Sequence, residues 1–210
     1  MTRGRVTGVV TDDGVIRADA VVLAAGPWSA WLLRPLGIGV PIDGARGWLV
    51  HLAPDRPLIR HWIEGAARML FRAHLEAVRG EAFASGSIEH DVGPMIQPAP
   101  DGTIVAGTSR EPALTTESFE LEVPRMLMRE VIRLVPALAQ ATIIATWSGV
   151  RPMSPDERPL IGWLCEGLLL ASGHGSEGVI LGSGTALQVV ALTLDETPPF
   201  DPAPFDPLRF

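Results

Sequence analysis

Two stretches of this 210-residue chain combine residue types and spacing suited to chemistry. The first is Gly149-Val150-Arg151-Pro152. Arg151 follows an apolar run of strand length and is stiffened by the proline after it. A guanidinium in such a position can hold a carboxylate through two parallel hydrogen bonds. Its other role would be structural, paired with Asp156 or Glu157, and residue types alone leave the two roles even. The second stretch, Gly173-His174-Gly175-Ser176-Glu177-Gly178, places three glycines in six residues. It lies between an apolar run, Leu168 to Ala171, and a segment with apolar residues at helical spacing: Val179, Ile180, Leu187, Val190 and Leu194. Strand, glycine turn and helix in that order leave N–H groups at the helix start without acceptors. Those groups and the helix dipole favour an anion or a partly negative oxygen.

The glycine stretch fits GxGxxG letter for letter, yet a dinucleotide-binding reading needs a second strand after the helix, ending in an acid. Here the helix runs instead into Asp195-Glu196-Thr197-Pro198-Pro199 and a proline-rich tail, expected as an extended strap or a frayed end. His174 alone is more often a hydrogen-bonded or packed residue than a ligand. His51, His61, His74 and His90 have no metal-ligand spacing among them, and no metal site is expected.

The elements that must position these groups follow in chain order. Arg5 to Val10 and Val15 to Ala18 predict a hairpin turning at Asp13-Gly14. Asp19 to Ala25 predicts a buried strand ending at Gly26-Pro27. Trp28 to Leu36 predicts a short helix with Trp28, Trp31, Leu32 and Leu36 inward, ended by Gly37. Pro41 to His51 predicts a strand of a second, antiparallel layer, and Arg56 to Trp62 another. Glu64 to Glu81 is open between two readings, of which helix is the first: Leu70, Ala73, His74, Ala77 and Val78 have helical spacing. Pro94 to Gly107 predicts a hairpin turning at Asp101-Gly102, followed by a polar loop from Thr108 to Thr116. Pro124 to Leu138 predicts an amphipathic helix, with apolar residues at Leu127, Met128, Val131, Ile132, Val135 and Leu138. Pro136 ends it. Thr142 to Gly149 predicts the strand that delivers Arg151. The fold class is α+β, a mixed α/β arrangement.

Composition narrows the function. Apolar residues make up 47% of the chain, enough for a core, and the mean hydropathy of +0.24 suits a buried interface with further sequence. Net charge is −7 with no basic cluster, which argues against nucleic acid. Cys165 is the one cysteine, so neither a disulfide framework nor a cysteine metal site is expected, in keeping with a cytoplasmic location. No apolar run reaches the length of a membrane span, and the N-terminus lacks the apolar core of a signal peptide.

The spaced motifs Gly149-Val150-Arg151-Pro152, Pro155-Asp156, Pro159-Leu160-Ile161-Gly162 and Gly173-His174-Gly175 with Gly178-Val179 resemble a known pattern. It is the C-terminal signature of the FAD-dependent D-amino-acid oxidase/glycine oxidase (DAO) family. Upstream, Val21-Val22-Leu23-Ala24-Ala25-Gly26-Pro27-Trp28-Ser29 is similar to the family's strand-to-turn segment beside the flavin, and Arg46-Gly47 matches an Arg-Gly pair. Within Glu64 to Glu81 the resemblance suggests strands, around Arg68 to Arg72, which is the second reading of that segment. The resemblance covers nearly all of this chain but only the C-terminal part of the family's usual length. The family's N-terminal GxGxxG, which holds the ADP half of FAD, has no counterpart here.

The resemblance implies FAD as cofactor and oxidation of the C–N bond of a small amino acid or secondary amine. It implies that Arg151 binds the substrate carboxylate. It places Ala25, Gly26, Trp28, Gly149, Gly173, His174, Gly175, Ser176, Glu177, Gly178 and Val179 at the cofactor. The backbone of Gly175 to Gly178, more than the His174 imidazole, would stabilise negative charge on the reduced ring. A hydride mechanism needs no protein base, so Asp156 reads as a turn former. Some members carry an arginine where this chain has Glu177. The acid either favours a substrate with a cationic or hydroxyl group or caps the helix. Residues 1–40 and 146–210 would form a partial FAD-binding domain, and 41–145 an antiparallel-sheet substrate domain. Against this enzyme reading stands a truncated, non-catalytic fragment that binds no FAD alone, or a subunit completed by a separate FAD-binding chain.

Overall fold

The computed structural model describes residues 4–65, 91–112 and 121–210. Most of the segment Glu64 to Glu81, read as helix or strands and including His74, lies outside the described residues, as does His90. The chain divides into two compact units, Met1–Gly44 with Arg151–Phe210, and Ala45–Val150.

The central unit is built on antiparallel strands. β4 (Asp43–Ala53), β5 (Ile63–Glu64), β6 (Asp91–Pro98), β7 (Ile104–Pro112) and β8 (Thr142–Met153) form a sheet in the order β5-β6-β7-β4-β8. The hairpin at Asp101-Gly102 joins β6 to β7 as its turn dipeptide predicts. Thr103 donates to Asp101 Oδ1 through its N–H at 3.0 Å and its hydroxyl at 2.7 Å. Those bonds hold the carboxyl below its ordinary pKa. Alternation along β4 buries Trp48, Val50 and Leu52. α2 (Glu122–Leu134) covers this face, and Leu127 and Val131 join Val50, Leu52, Ile96, Ile104 and Ala106 in one core. Pro124 is tolerated because the first helical N–H groups have no intrahelical acceptor. Val135 leaves helical geometry before Pro136, as steric conflict with the proline ring requires.

Two expectations are corrected in this unit. Arg56 to Trp62 is irregular, and only Ile63–Glu64 forms a strand. The polar run from Thr108 is not a loop but the end of β7 as far as Pro112; 113–120 lies outside the described residues. Its polar residues are paired rather than solvated. Arg46 on β4 stands opposite Glu111 on β7. Arg46 Nε and Trp48 Nε1 each donate to Glu111 Oε1 at 2.7 Å, and the guanidinium lies 5.6 Å from the Trp48 ring centroid. Ser109 Oγ accepts from the Trp48 N–H at 3.0 Å.

The other unit joins both ends of the chain. β1 (Gly8–Thr11) and β2 (Gly14–Arg17) pair as a hairpin, with Asp12 and Asp13 at the turn and Gly14 already in the strand. β3 (Val21–Leu23), β9 (Leu160–Cys165) and β10 (Leu168–Ser172) form a sheet in the order β3-β10-β9, with β3 parallel and β9 antiparallel to β10. β10 is buried along most of its length. α1 (Ser29–Leu33) is flanked by single 3-10 turns, and Gly37 closes the segment in the left-handed region. The expected inward face of α1 is reversed. Leu33 is buried with Val6 and Leu168, whereas Trp28, Trp31, Leu32 and Leu36 are exposed.

α3 (Gly178–Thr193) follows the glycine corner, and among the described residues no strand follows it. The tail is a strap rather than a frayed end. Gln188 Nε2 donates to Phe200 O at 3.3 Å, and a side-chain carbon on Gly162 would strike Pro207. Arg209 clamps Asp156 with Nε to Oδ2 at 3.0 Å and Nη2 to Oδ1 at 2.8 Å. Burial opposes the Asp156 charge, but the bonds from Arg209, the Arg158 N–H and the Ser154 hydroxyl outweigh it and hold its pKa below the ordinary value.

Removing one member of the Arg46–Glu111 pair strands a buried charge. Glu111→Ala should therefore cost about 3–5 kcal/mol in urea unfolding, and Glu111→Gln less. Arg209→Ala should cost about 1–2 kcal/mol through loss of a bidentate, partly exposed pair. Because the Asp156 pKa falls on folding, its stabilisation is complete above its unfolded value and is lost as pH falls through the folded value. The Arg209→Ala deficit, followed by thermal melts against pH, should shrink in acid.

Candidate functional site

Three chain segments meet beside the first turns of α3. They are the end of β3 with the turn after it, the end of β8, and the end of β10 with the glycine corner. Ser172 Oγ donates to Gly26 O at 3.0 Å, tying the β10 end to the β3 turn. The Gly175 N–H donates to Pro152 O at 2.7 Å, and Met153 forms a bridge with His174, tying the corner to the β8 end. Glycine is needed at two of these points. Gly173 has φ +76° and sits against Leu160 and Ser154, so a side chain there would be strained and crowded. Gly26 has φ +56° and reverses the chain after β3.

The segments and α3 line an open cavity of about 370 Å³. Val22, Ala24 and Gly26 form one wall, Pro152, Ala171, Ser172 and His174 another, and α3 supplies Gly178, Gly182, Thr185, Ala186 and Val189. A side-chain carbon added at Gly26 or Gly182 would meet no atom of the chain within 4 Å. The glycines therefore leave open space facing the cavity rather than a tight contact. The lining is of small and largely apolar residues, with Ser172, His174 and Thr185 as its polar side chains.

His174 Nε2 lies 2.8 Å from Thr185 Oγ1. Burial pushes its imidazole below its ordinary pKa, so it is neutral at pH 7. Leu181 N–H makes the first intrahelical bond of α3, to Glu177 O at 2.9 Å, so the N–H groups of Gly178, Val179 and Ile180 have no intrahelical acceptor.

Of the residues expected at the cofactor, Gly26, His174 and Gly178 line this cavity. Ala25, Gly173, Gly175, Ser176 and Glu177 surround it in the chain without lining it. Two of the amides expected to face a ligand are engaged within the protein: Gly175 with Pro152, and Glu177 with His174 O at 3.0 Å. The Glu177 side chain does not cap α3. Trp28 and Val179 turn outward, Val179 being 98% exposed. Gly149 lies on β8 in the central unit. Arg151 is half-buried and immediately precedes Pro152, itself a lining residue. Sequence reasoning passed over Ser172, Gly182, Thr185 and Ala186. Gly178, Gly182, Thr185, Ala186 and Val189 recur three and four apart, and that run of mostly small residues was the available signal.

A βα corner at the end of a parallel strand pair, beside a hollow lined by small residues, defines a mixed α/β protein. Residues 1–192 match the family described as DAO, FAD dependent oxidoreductase, and the chain belongs to that family. It is similar to the glycine oxidase of Pseudomonas putida, with 33% identity over 207 residues that cover 98% of this chain and 50% of that protein. The crystal structure of glycine oxidase from Geobacillus kaustophilus matches with a TM-score of 0.79 and 26% identity, covering 99% of this chain and 50% of that one. The fold is shared with L-proline dehydrogenase from P. horikoshii, at a TM-score of 0.76 and 22% identity over 99% of this chain and 51% of that one. The chain thus spans about half the length of the curated relatives it matches.

The folded pKa of His174 is lowered, so its stabilising contribution is complete above about pH 6.5 and is lost as pH falls from there toward the folded value. An NMR titration should place His174 below the ordinary histidine range. His174→Gln should flatten the stability profile below about pH 6.5.

Proposed function

We propose that this chain is the part of a flavin-dependent oxidoreductase that seats the edge of the isoalloxazine ring and positions a small amino acid or amine for oxidation of its C–N bond. The observation that carries the reading is the open space at Gly26 and Gly182 within one cavity, beside helix N–H groups that lack intrahelical acceptors, in a member of the DAO family. In this reading that space takes the edge of the ring. FAD held there would supply the two-electron acceptor.

The chain's own residues have distinct tasks in this reading. Ser172 fixes the Gly26 turn, and the first turn of α3 favours negative charge at the ring edge. Neutral His174 keeps Thr185 oriented without adding a charge. Arg151 grips the substrate carboxylate. No helix among the described residues is long and apolar enough to cross a membrane, and the proposed substrate is a small polar molecule.

Riboflavin, which carries the ring without the adenylate, tests the cavity. Binding by the purified chain should quench its fluorescence, and Gly182→Leu should abolish that while leaving the circular dichroism unchanged. No quenching by the unsubstituted chain, or equal quenching by Gly182→Leu, overturns the reading. In flavin-loaded protein, Arg151→Ala should raise the Kd for glycine roughly ten- to a hundredfold, as loss of charge-assisted bonds worth about 1.5–3 kcal/mol implies. Unchanged affinity would remove Arg151 from this role.

A further inference from the structure

α2 turns its apolar residues into the core of the central unit, and arginine dominates its outer face. Arg125, Arg129 and Arg133 follow one another at four-residue intervals, and all three are exposed. The sequence spaces them apart, but the helix lines them up, with a rise of about 6 Å from one to the next. All 17 basic residues of the chain are arginine, so it is placement rather than residue type that distinguishes these three. Their placement works against the helix. Like charges four residues apart repel each other, and the row contains two such pairs. Arg125 also lies in the first turn, its N–H bonded to Leu121 O at 3.1 Å, where the helix dipole favours acids. Arg133 has local support, from the dipole of the last turn and from Glu130 at 3.7 Å. Arg125 and Arg129 have none: among the described residues neither takes part in an ion pair or a side-chain hydrogen bond.

From this uncompensated row we infer that the outer face of α2 is a docking surface for an acidic helix of a partner protein, one that presents carboxylates at the same four-residue spacing. Two helices rise equally per residue, so guanidinium and carboxylate meet in register along both. Charge complementarity selects this occupant over the other anionic surfaces. An anionic membrane fits poorly, because the apolar residues of α2 lie in the core and leave none to enter the lipid boundary. Nucleic acid fits poorly as well. Glu122 opens the helix and Glu130 stands beside Arg133, and both repel a continuous run of phosphates. Flavin plays no part in this surface.

The probe is a labelled, alanine-based helical peptide with three glutamates, one at every fourth residue, mixed with the whole chain. Fluorescence anisotropy should report binding at about 0.02 M salt and clearly weaker binding at about 0.2 M, as screening requires. The same peptide with glutamine in place of glutamate should bind at least tenfold more weakly, a comparison that needs no substitution in the protein. Arg125→Glu with Arg129→Glu should lose the glutamate peptide and gain a lysine peptide of the same spacing, with circular dichroism unchanged. Arg17→Glu, at an exposed arginine of β2, should leave binding as it was. Arg129→Ala should keep or raise the melting temperature, because it removes two like-charge neighbours. A fall would mean that this arginine serves the fold, and would overturn the inference. So would absence of binding by the glutamate peptide, binding indifferent to the charge reversal, or tighter binding of oligothymidylate or of phosphatidylserine vesicles than of the peptide.

Discussion

The cavity depends on two hydrogen bonds that close a corner, from the Ser172 hydroxyl to Gly26 O and from the Gly175 N–H to Pro152 O. Each joins segments separated in sequence, residue 172 to residue 26 and residue 175 to residue 152. Once they form, the ends of β3, β8 and β10 are fixed against one another and the start of α3 is set. The small residues of α3 then define a slot instead of a packed contact. The lining is apolar, but its shape comes from polar backbone chemistry at its rim.

The local signals in the sequence were readable where one physical rule dominated. Asp101-Gly102 set a hairpin because its turn conformation is compatible with few residues, and α2 was visible because a single apolar stripe faces a single core. The strand, glycine turn and helix around Gly173 were legible for the same reason. What failed was orientation. Trp28, Trp31 and Leu32 are apolar, but the tertiary partner of α1 accepts Leu33 instead. α3 has no polar face, so periodicity cannot say which side is buried. The end of β7 looked like a loop because Ser109 and Glu111 are polar, and only their partners Arg46 and Trp48, some sixty residues away, make them fit for a strand.

The two units handle their polar and apolar groups differently. The central unit buries a charged pair and supplies it with an indole donor, while its apolar residues close on one core. Among the described residues, the buried side-chain atoms lacking a hydrogen-bond partner are Ser29 Oγ and Gln188 Oε1, both in the other unit. That unit also carries the exposed valines and isoleucine of β1 and β2 and the outward tryptophans of α1. The central unit also exposes Trp62, Ile143, Ile144 and Trp147, so among the described residues it is the unsatisfied polar atoms, more than the bare apolar surface, that set the two units apart.

The discontinuity of that unit has a consequence during synthesis. Residues 1–44 leave the ribosome before their partners in 151–210 exist, and the whole of 45–150 intervenes. At ordinary translation rates this delay is roughly 5–20 s, far longer than a hairpin or helix needs to form. Val6, Val21, Leu23 and Leu33 therefore spend that interval on a nascent chain before Leu164, Leu168 and Leu170, which pack with them, have been made. A chaperone acting during that interval would meet β3 and α1 bare, while the intervening unit, continuous in sequence, has all of its partners at hand.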